Sequence, residues 1–134
     1  MKLLLDTHVF LWAVGDSTKL PSRIIGMLES DEHQLLVSAA SAWEIAIKSG
    51  IGKQMVWHHG PPADLLDDFI GRLGATRLPI HIRHAVEVWR FRDCRNKDPF
   101  DRMLATQAVL EGASLVTADA AFGDFAGLTT LWAE

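Results

Sequence analysis

Short apolar runs alternate with helical patterns along the whole chain, and this alternation constrains the fold more than any other feature. Leu3-Leu4-Leu5, Leu35-Leu36-Val37 and Leu115-Val116 are apolar at successive positions, which is typical of short strands buried on both faces. Strands that alternate with helices predict an α/β fold with a mostly parallel sheet covered on both faces. Because the chain has 134 residues, 49% of them hydrophobic, we expect a single domain spanning 1–134 with one core.

The turn signals divide this pattern into elements. The predicted strands span 2–5, 35–37, 76–78, 114–117 and 128–132, and the predicted helices span 7–14, 38–48, 64–73, 81–91 and 99–111, with another starting at Pro21. Gly60-Pro61-Pro62 marks a break in the middle of the chain. The helix 99–111 has the clearest boundaries, because Asp98 suits an N-cap, Pro99 suits the first helical position and Gly112 suits the end.

Composition and charge exclude several classes of protein. No apolar run reaches the roughly 18 residues of a membrane span, and Asp6 interrupts the N-terminal apolar run too early for a signal peptide. Cys94 is the single cysteine, so no intramolecular disulfide forms. We therefore expect a soluble cytoplasmic protein without a membrane partner. The net charge of −4 has the wrong sign for binding nucleic acid through a general basic excess.

Four acidic residues stand where a parallel sheet places its functional crevice, beyond the carboxyl ends of the strands. Asp6 follows the first strand, and Asp119 follows the strand 114–117. Asp101 lies in the first turn of the helix 99–111, and Glu44 lies in an almost wholly apolar helix. If these carboxylates converge, their repulsion raises a pKa or requires a cation.

Carboxylate oxygens without thiols are the ligands that Mg²⁺ and Mn²⁺ prefer. Such an ion activates water for attack on a phosphodiester and neutralises the charge that develops, which predicts a nuclease. Without the four acids, 13 acidic residues balance 13 basic ones, so a metal-loaded cleft would not repel a polyanion. The basic residues that could contact phosphates are Lys48, Lys53, Arg90, Arg92, Arg95, Lys97 and Arg102.

Each acid also has a purely structural alternative. Glu44 and Lys48 are spaced for an ion pair on one helix face. An acid in the first turn of a helix interacts favourably with the helix dipole, and an Asp that precedes a helix caps it. Asp6, Asp98, Asp101 and Asp119 all hold positions of these kinds.

Four motifs together resemble the PIN-domain ribonucleases, and most of all the toxin subunits of VapBC-type toxin-antitoxin modules. They are LLLDTH at 3–8, SAASAWEIAIK at 38–48, DPFDRML at 98–104 and LVTAD at 115–119. The resemblance implies a three-layer α/β/α sandwich with a central sheet of four to five strands. It also implies a Mg²⁺- or Mn²⁺-dependent endoribonuclease that acts as a toxin on RNA, forms a homodimer and is silenced by a cognate antitoxin.

The resemblance also assigns roles by matching position. The acidic quartet that binds metal, directly or through water, would be Asp6, Glu44, Asp101 and Asp119. Thr117 and Asp98 would hydrogen-bond behind these ligands, while Arg92, Arg95, Lys97 and Arg102 would contact RNA. Many relatives carry histidine two residues before the DPFD motif, where this chain has Asn96. That departure bears on substrate choice and leaves the quartet intact.

Other functions and roles stay open. A domain of the same fold that has lost catalysis could bind RNA or protein. An aspartyl-phosphate phosphotransferase also begins with an Asp after its first strand, but it usually carries a second Asp where this chain has His8. His8 could instead orient a phosphate. The tryptophans could stack bases, although core packing or dimer contacts are their expected roles; they are Trp12, Trp43, Trp57, Trp89 and Trp132.

Overall fold

Five parallel strands form the centre of the fold in the computed structural model, which describes residues 1–50 and 63–133. The strands are β1 (Lys2–Leu5), β2 (Gln34–Ser38), β3 (Thr76–Leu78), β4 (Ser114–Thr117) and β5 (Thr130–Trp132). Their order in the sheet is β3-β2-β1-β4-β5, and every neighbouring pair is parallel. The predicted mostly parallel sheet is therefore confirmed.

Six helices connect these strands in the described residues. They are α1 (Thr7–Val14), α2 (Ser22–Glu29), α3 (Ala39–Gly50), α4 (Ala63–Arg72), α5 (Ile82–Glu87) and α6 (Pro99–Glu111). Short 3₁₀ helices lie between these elements, at Ser17–Lys19, Val88–Phe91 and Ala120–Asp124. Within 1–50 and 63–133, no helix has the length and apolar character that crossing a membrane requires. The predicted break at 60–62 lies outside the described residues.

Two predicted elements are shorter than the sequence pattern indicated. The helix predicted over 81–91 ends as α5 at Glu87 and continues as a 3₁₀ turn, which is wound more tightly. Phe91, at the end of this turn, packs against Phe125 with 4.9 Å between ring centroids. The strand predicted over 128–132 begins only at Thr130. The backbone N–H of Leu128 bonds to the carbonyl of Phe125 in a turn, so it is not available to the sheet.

Alternate strand residues enter two separate cores. Leu3 and Leu5 pack on one face of the sheet with side chains from α1, α2 and α4. Leu4 packs on the opposite face with side chains from α6. Because successive strand residues point to opposite faces, the continuous apolar run of β1 is buried on both sides. The arrangement is the predicted three-layer α/β/α sandwich, which is thereby confirmed.

The strand order places one crevice at the middle of the sheet. The chain moves from β1 to β2 and β3 on one side, then returns to add β4 and β5 on the other. In such sheets the crevice opens at the carboxyl ends of the strands where the order reverses, here between β1 and β4. Asp6 is fixed at this point, since its backbone N–H donates to the carbonyl of Val116 at 3.0 Å.

Candidate functional site

A cleft of about 320 Å³ opens at the carboxyl ends of β1 and β4. The residues that line it are Asp6, His8, Trp12, Glu44, Lys48, Asp98, Asp101, Ala118 and Asp119. The structure thus brings all four sequence-predicted acids to one cleft and adds Asp98 as a fifth carboxylate. These residues belong to several separate parts of the chain. They come together because parallel strands have their carboxyl ends on one side of the sheet.

Asp6 is a buried carboxylate that also caps α1. Its side chain is 7% exposed, with Oδ1 accepting from the backbone N–H of Thr7 at 2.7 Å and Oδ2 accepting from the hydroxyl of Thr117 at 2.8 Å. Burial raises the pKa of Asp6, and the Thr117 hydrogen bond opposes that rise. Asp6 therefore caps α1, as the structural alternative predicted, and it also lies on the wall of the cleft.

Glu44 is buried on α3 beside a partly exposed lysine. It is 4% exposed, its Oε1 accepts from the Thr7 hydroxyl at 2.7 Å, and its Oε2 accepts from Lys48 Nζ in an ion pair. The pair expected from i, i+4 spacing exists, but the carboxylate lies inside the protein. Burial alone would lower the pKa of Lys48; the hydrogen bond to Glu44 and the charges of Glu44, Asp98 and Asp101 outweigh it and raise that pKa.

Thr7 contacts the site although the sequence analysis assigned it no role. Its Oγ1 lies 2.9 Å from the hydroxyl of Ser41 on α3. Because Thr7 has one hydroxyl proton, which it gives to Glu44, Ser41 is the donor in this second contact. Thr7 is completely buried and directly follows Asp6. A hydroxyl at the buried start of α1 was the signal that could have identified it.

The surroundings of Asp101 raise the pKa of its carboxyl group far above the ordinary value. It lies in the first turn of α6, where Asp98 caps the helix by accepting from the backbone N–H groups of Phe100 at 2.8 Å and Asp101 at 3.0 Å. Burial and the charges of neighbouring carboxylates raise the pKa of Asp101 from 3.8 to about 7. The side chain of Asn96 opposes this rise by donating to Asp101 Oδ2 at 2.9 Å. Asn96, the residue that departs from the relatives' pattern, thus contacts a cleft carboxylate directly.

Thr117 connects the two acids that follow β1 and β4. It donates its hydroxyl to Asp6 and accepts from the backbone N–H of Asp119 at 3.0 Å. Asp119 in turn caps the 3₁₀ helix Ala120–Asp124, with Oδ1 accepting from the N–H of Ala121 at 2.9 Å. Thr117 is therefore hydrogen-bonded to both of these acids.

The chemistry of the cleft fits a hard divalent cation, although the ligands are not arranged around one. In the part of the chain that the structure describes, no three acidic, histidine or cysteine side chains are grouped as a metal-binding set. Instead, the carboxylates face hydroxyl, amide and ammonium donors. Their oxygens are the donor type that Mg²⁺ and Mn²⁺ select. Burial, together with the charges of neighbouring carboxylates, raises the pKa of Asp101 and so disfavours its ionised form when no cation is bound. An ion would replace some of these donors.

The four residues to which the resemblance assigns RNA contact are not among the residues that line the cleft, whereas Lys48 is. Arg102 donates to the carbonyl of Asn96 at 3.0 Å and to the carbonyls of Arg92 and Cys94 at 3.4 Å, so it orders the loop before α6. Arg92 stacks over Trp89 with 4.5 Å between the guanidinium carbon and the ring centroid. Arg92, Arg95 and Lys97 are exposed. Lys53 falls among the residues that the structure does not describe.

The fold and the cleft define a class of small α/β/α domains that gather carboxylates at the strand ends of a parallel sheet. Residues 3–128 match the family model described as PIN domain. The chain therefore belongs to the PIN domain family, which confirms the resemblance seen in its motifs. A comparison with curated proteins found no match.

Solved structures of PIN-fold complexes are similar over almost the entire chain. VapBC2 from Rickettsia felis, bound to a promoter DNA fragment, has 20% identity over 98% of both chains, with a TM-score of 0.71. DNA-bound VapBC from Salmonella typhimurium has 19% identity over 98% of this chain and 97% of that chain, with a TM-score of 0.71. VapBC-1 from nontypeable Haemophilus influenzae has 18% identity over 100% of both chains, with a TM-score of 0.70. At these identities the similarity shows a shared fold.

The raised pKa of Asp101 predicts that the metal-free protein loses stability as pH rises. Native Asp101 keeps its proton up to about pH 7, whereas the unfolded chain releases it near pH 3.8. Between these values the native state binds more protons, so the free energy of unfolding falls with rising pH and levels off above pH 7. Discounted for the partial exposure of Asp101, the loss is about 2 kcal/mol.

Thermal unfolding in EDTA at pH 5 and pH 8 measures this loss. The comparison is with Asp101→Asn, for which the difference between the two pH values should be smaller by about 1 kcal/mol, because pH 5 already lies inside the range from 3.8 to about 7 over which the loss accumulates. Equal pH dependence in the two proteins would mean that Asp101 is not the group responsible.

Proposed function

We propose that the protein is a Mg²⁺- or Mn²⁺-dependent endoribonuclease that acts as the toxin of a toxin-antitoxin module. The observation that carries this proposal is the convergence of Asp6, Glu44, Asp101 and Asp119 on one cleft at the centre of the sheet. Membership in the PIN domain family supports nuclease chemistry. The similarity of fold to chains of VapBC complexes supports the role as a toxin.

The four acids would hold the ion, and the ion would supply an activated water and neutralise charge on the phosphate. The other residues of the cleft keep these acids in place. Thr117 fixes Asp6 through a hydrogen bond, and Thr7 fixes Glu44. Asp98 fixes the first turn of α6, which carries Asp101. A rigid set of oxygens limits the reorganisation that binding an ion requires.

Basic residues around the cleft would bind the phosphates of the RNA. Lys48 lies on the cleft wall, where its ammonium can contact a phosphate oxygen once the carboxylates are neutralised. The exposed side chains of Arg92, Arg95 and Lys97 would contact flanking phosphates. Arg102 would support them by ordering the backbone that carries them, since it bonds three carbonyls of that loop.

Partner proteins complete the proposal. A cognate antitoxin would silence the cleft, because a basic side chain placed among five carboxylates forms charge-assisted hydrogen bonds. The homodimer proposed from the resemblance is supported by the exposed apolar side chains of Ile82, Val86 and Trp89 on one stretch of the chain. We propose that 1–134 functions as a single domain and that the protein acts in the cytoplasm, where its RNA substrate is found.

The direct test is incubation of the purified protein with total cellular RNA in millimolar Mg²⁺ or Mn²⁺, with an EDTA arm. We expect discrete cleavage products with metal and none with EDTA, and mapping their ends identifies the target. A folded protein that binds the ion and cuts no RNA would contradict the proposal. That result would favour the alternative of a catalytically silent domain that binds RNA or protein.

A phosphotransferase is less well supported by the same cleft. The position two residues after Asp6, where such enzymes carry a second acid, is occupied by the exposed imidazole of His8. Absence of radiolabel on Asp6 after incubation with a phosphodonor would exclude this alternative.

A further inference from the structure

The described tryptophans differ in their relation to the acidic cleft. Trp12 lines it. Trp43 is half exposed and packs edge-on against Phe100, while Trp89 is exposed beneath Arg92. Trp132 packs against Trp12, with 6.0 Å between ring centroids, and Trp57 lies outside the described residues. Trp12 is therefore the indole that a molecule bound in the cleft would meet.

From this placement we propose that Trp12 is the stacking platform for an unpaired nucleobase next to the scissile phosphate, and that Lys19 binds a neighbouring phosphate. The inference rests on the proposed function, because it describes how that cleft recognises single-stranded RNA. Aromatic side chains that stack bases beside basic groups that bind the backbone are the general means of recognising single strands.

Trp12 and one of the cleft carboxylates, Asp6, lie along the same helix. Asp6 caps α1, and His8 and Trp12 follow on the same side of that helix at i, i+4 spacing, with 5.9 Å between their ring centroids. The rise from Asp6 to Trp12 is roughly 9 Å along the helix axis. A nucleoside adjoining a phosphate at the carboxylates can therefore reach the indole.

Packing contacts with the core and with Trp132 hold the Trp12 ring in place. It is partly buried and packs against the core on the α1 and α2 side of the sheet. Trp132 supports it although the Trp132 backbone has a φ of +88°, a region that is unfavourable for a bulky residue. The backbone N–H of Ala133, hydrogen-bonded to the carbonyl of Thr117 at 2.6 Å, ties this segment to β4. A preordered ring loses little freedom when a base stacks on it.

The charges around Trp12 favour a nucleotide as the occupant. The ammonium of Lys19, in the 3₁₀ turn after α1, lies 6.0 Å from the Trp12 ring centroid. Lys19 therefore places a positive charge beside Trp12, next to the residues that line the cleft rather than among them. In this arrangement Lys19 would bind a phosphate of the RNA and the exposed part of the indole would stack on a base. The scissile phosphate would bind at the metal-loaded acids.

Binding of short single-stranded RNA to the otherwise unchanged protein tests the proposal, with probes whose backbone linkages resist hydrolysis so that cleavage does not deplete them. Two probes are compared in Mg²⁺: an oligonucleotide with all its bases and the same strand with abasic positions at its centre. We expect Trp12→Leu to weaken binding of the complete strand about 10-fold and binding of the abasic strand little, because stacking requires a base. Trp12→Phe should retain most of the affinity.

Two further variants separate the roles. Lys19→Gln should weaken both probes equally and reduce the salt dependence of binding by about one phosphate contact. Trp43→Leu, a matched change outside the cleft lining, should bind both probes like the wild type. Thermal unfolding of each variant verifies that it folds.

The outcomes distinguish this inference from the proposed function. If Trp12→Leu and Trp12→Phe bind both probes as the wild type does, Trp12 serves packing or a protein partner and the inference is overturned while RNA binding stands. If the wild type binds neither probe and cuts no RNA, the proposed function fails and the inference fails with it.

Discussion

Replacing Asp101 by Asn is expected to lower RNA cleavage at least about 100-fold while making the metal-free protein more stable by about 2 kcal/mol at pH 8. Asn keeps the size of the side chain and removes its charge. In the proposed function that charge helps to hold a cation. Without a cation, burial disfavours the charge and Asp98, Asp6 and Glu44 repel it, and together these effects raise the pKa of Asp101 to about 7. Activity and stability should therefore change in opposite directions.

Cleavage rates in Mg²⁺ and unfolding temperatures in EDTA, measured on the same preparations, test both halves of this prediction. The stability gain corresponds to roughly 6 °C for a chain of this size. Asp68→Asn is the matched control, because Asp68 is a half-exposed residue on α4 that pairs with Arg72. A destabilised Asp101→Asn protein would point instead to a structural role for this carboxylate at the start of α6.

Thermal unfolding in saturating Mg²⁺ gives a second, independent test of whether Asp101 contributes to ion binding. The ion should raise the unfolding temperature of the wild type, because a ligand that binds the native state stabilises it. It should raise that of Asp101→Asn much less. An equal rise in both proteins would show that Asp101 does not contribute to holding the ion.

Much of the fold could be predicted because its signals are local. The apolar run of β1 and the capping pattern before α6 depend on neighbours in sequence, and both elements have the predicted bounds. The convergence of the acids also followed from local information, since parallel strands place their carboxyl ends at one edge. The early end of α5 could not be predicted, because it accompanies the packing of Phe91 on Phe125, which is far away in the sequence.

The contacts inside the cleft depend on partners that the sequence does not identify. Spacing allowed Glu44 and Lys48 to pair, but it could not show that Glu44 is buried against Thr7, a residue 37 positions away. The hydrogen bond from Thr117 to Asp6 spans 111 positions. Resemblance suggested a role for Thr117, but only the folded sheet, with β4 beside β1, shows which acid it contacts.

Structural and functional interpretations of the acids proved compatible. Asp6 accepts a capping N–H on one oxygen and the Thr117 hydroxyl on the other, and Asp119 uses its Oδ1 for a cap while lining the cleft. A carboxylate has about four lone-pair positions, so capping a helix leaves capacity for a further ligand. The caps fix where the carboxylates stand, which is what an ion-binding cleft requires.

Lys48→Met is expected to destabilise the metal-free protein by about 2 kcal/mol, because removing one partner of a buried ion pair leaves the other without its counter-ion. Glu44 is the buried partner, with its side chain 5% exposed against 27% for Lys48. The partial exposure of Lys48 keeps the cost below that of a fully buried pair. Met preserves much of the aliphatic length of the side chain, so the loss reports mainly on the charge.

The same variant should bind Mg²⁺ more tightly than the wild type, by about 10-fold, because the Lys48 ammonium is a positive charge that competes for the same carboxylates. Isothermal titration with Mg²⁺ and thermal unfolding in EDTA measure the two effects. Glu44→Gln combined with Lys48→Met should recover the metal-free stability, since neither member of the pair then leaves a buried charge behind, and should lose the tighter binding. If Lys48→Met alone matched the wild type in both measurements, the ion pair would be a surface contact without influence on the cleft.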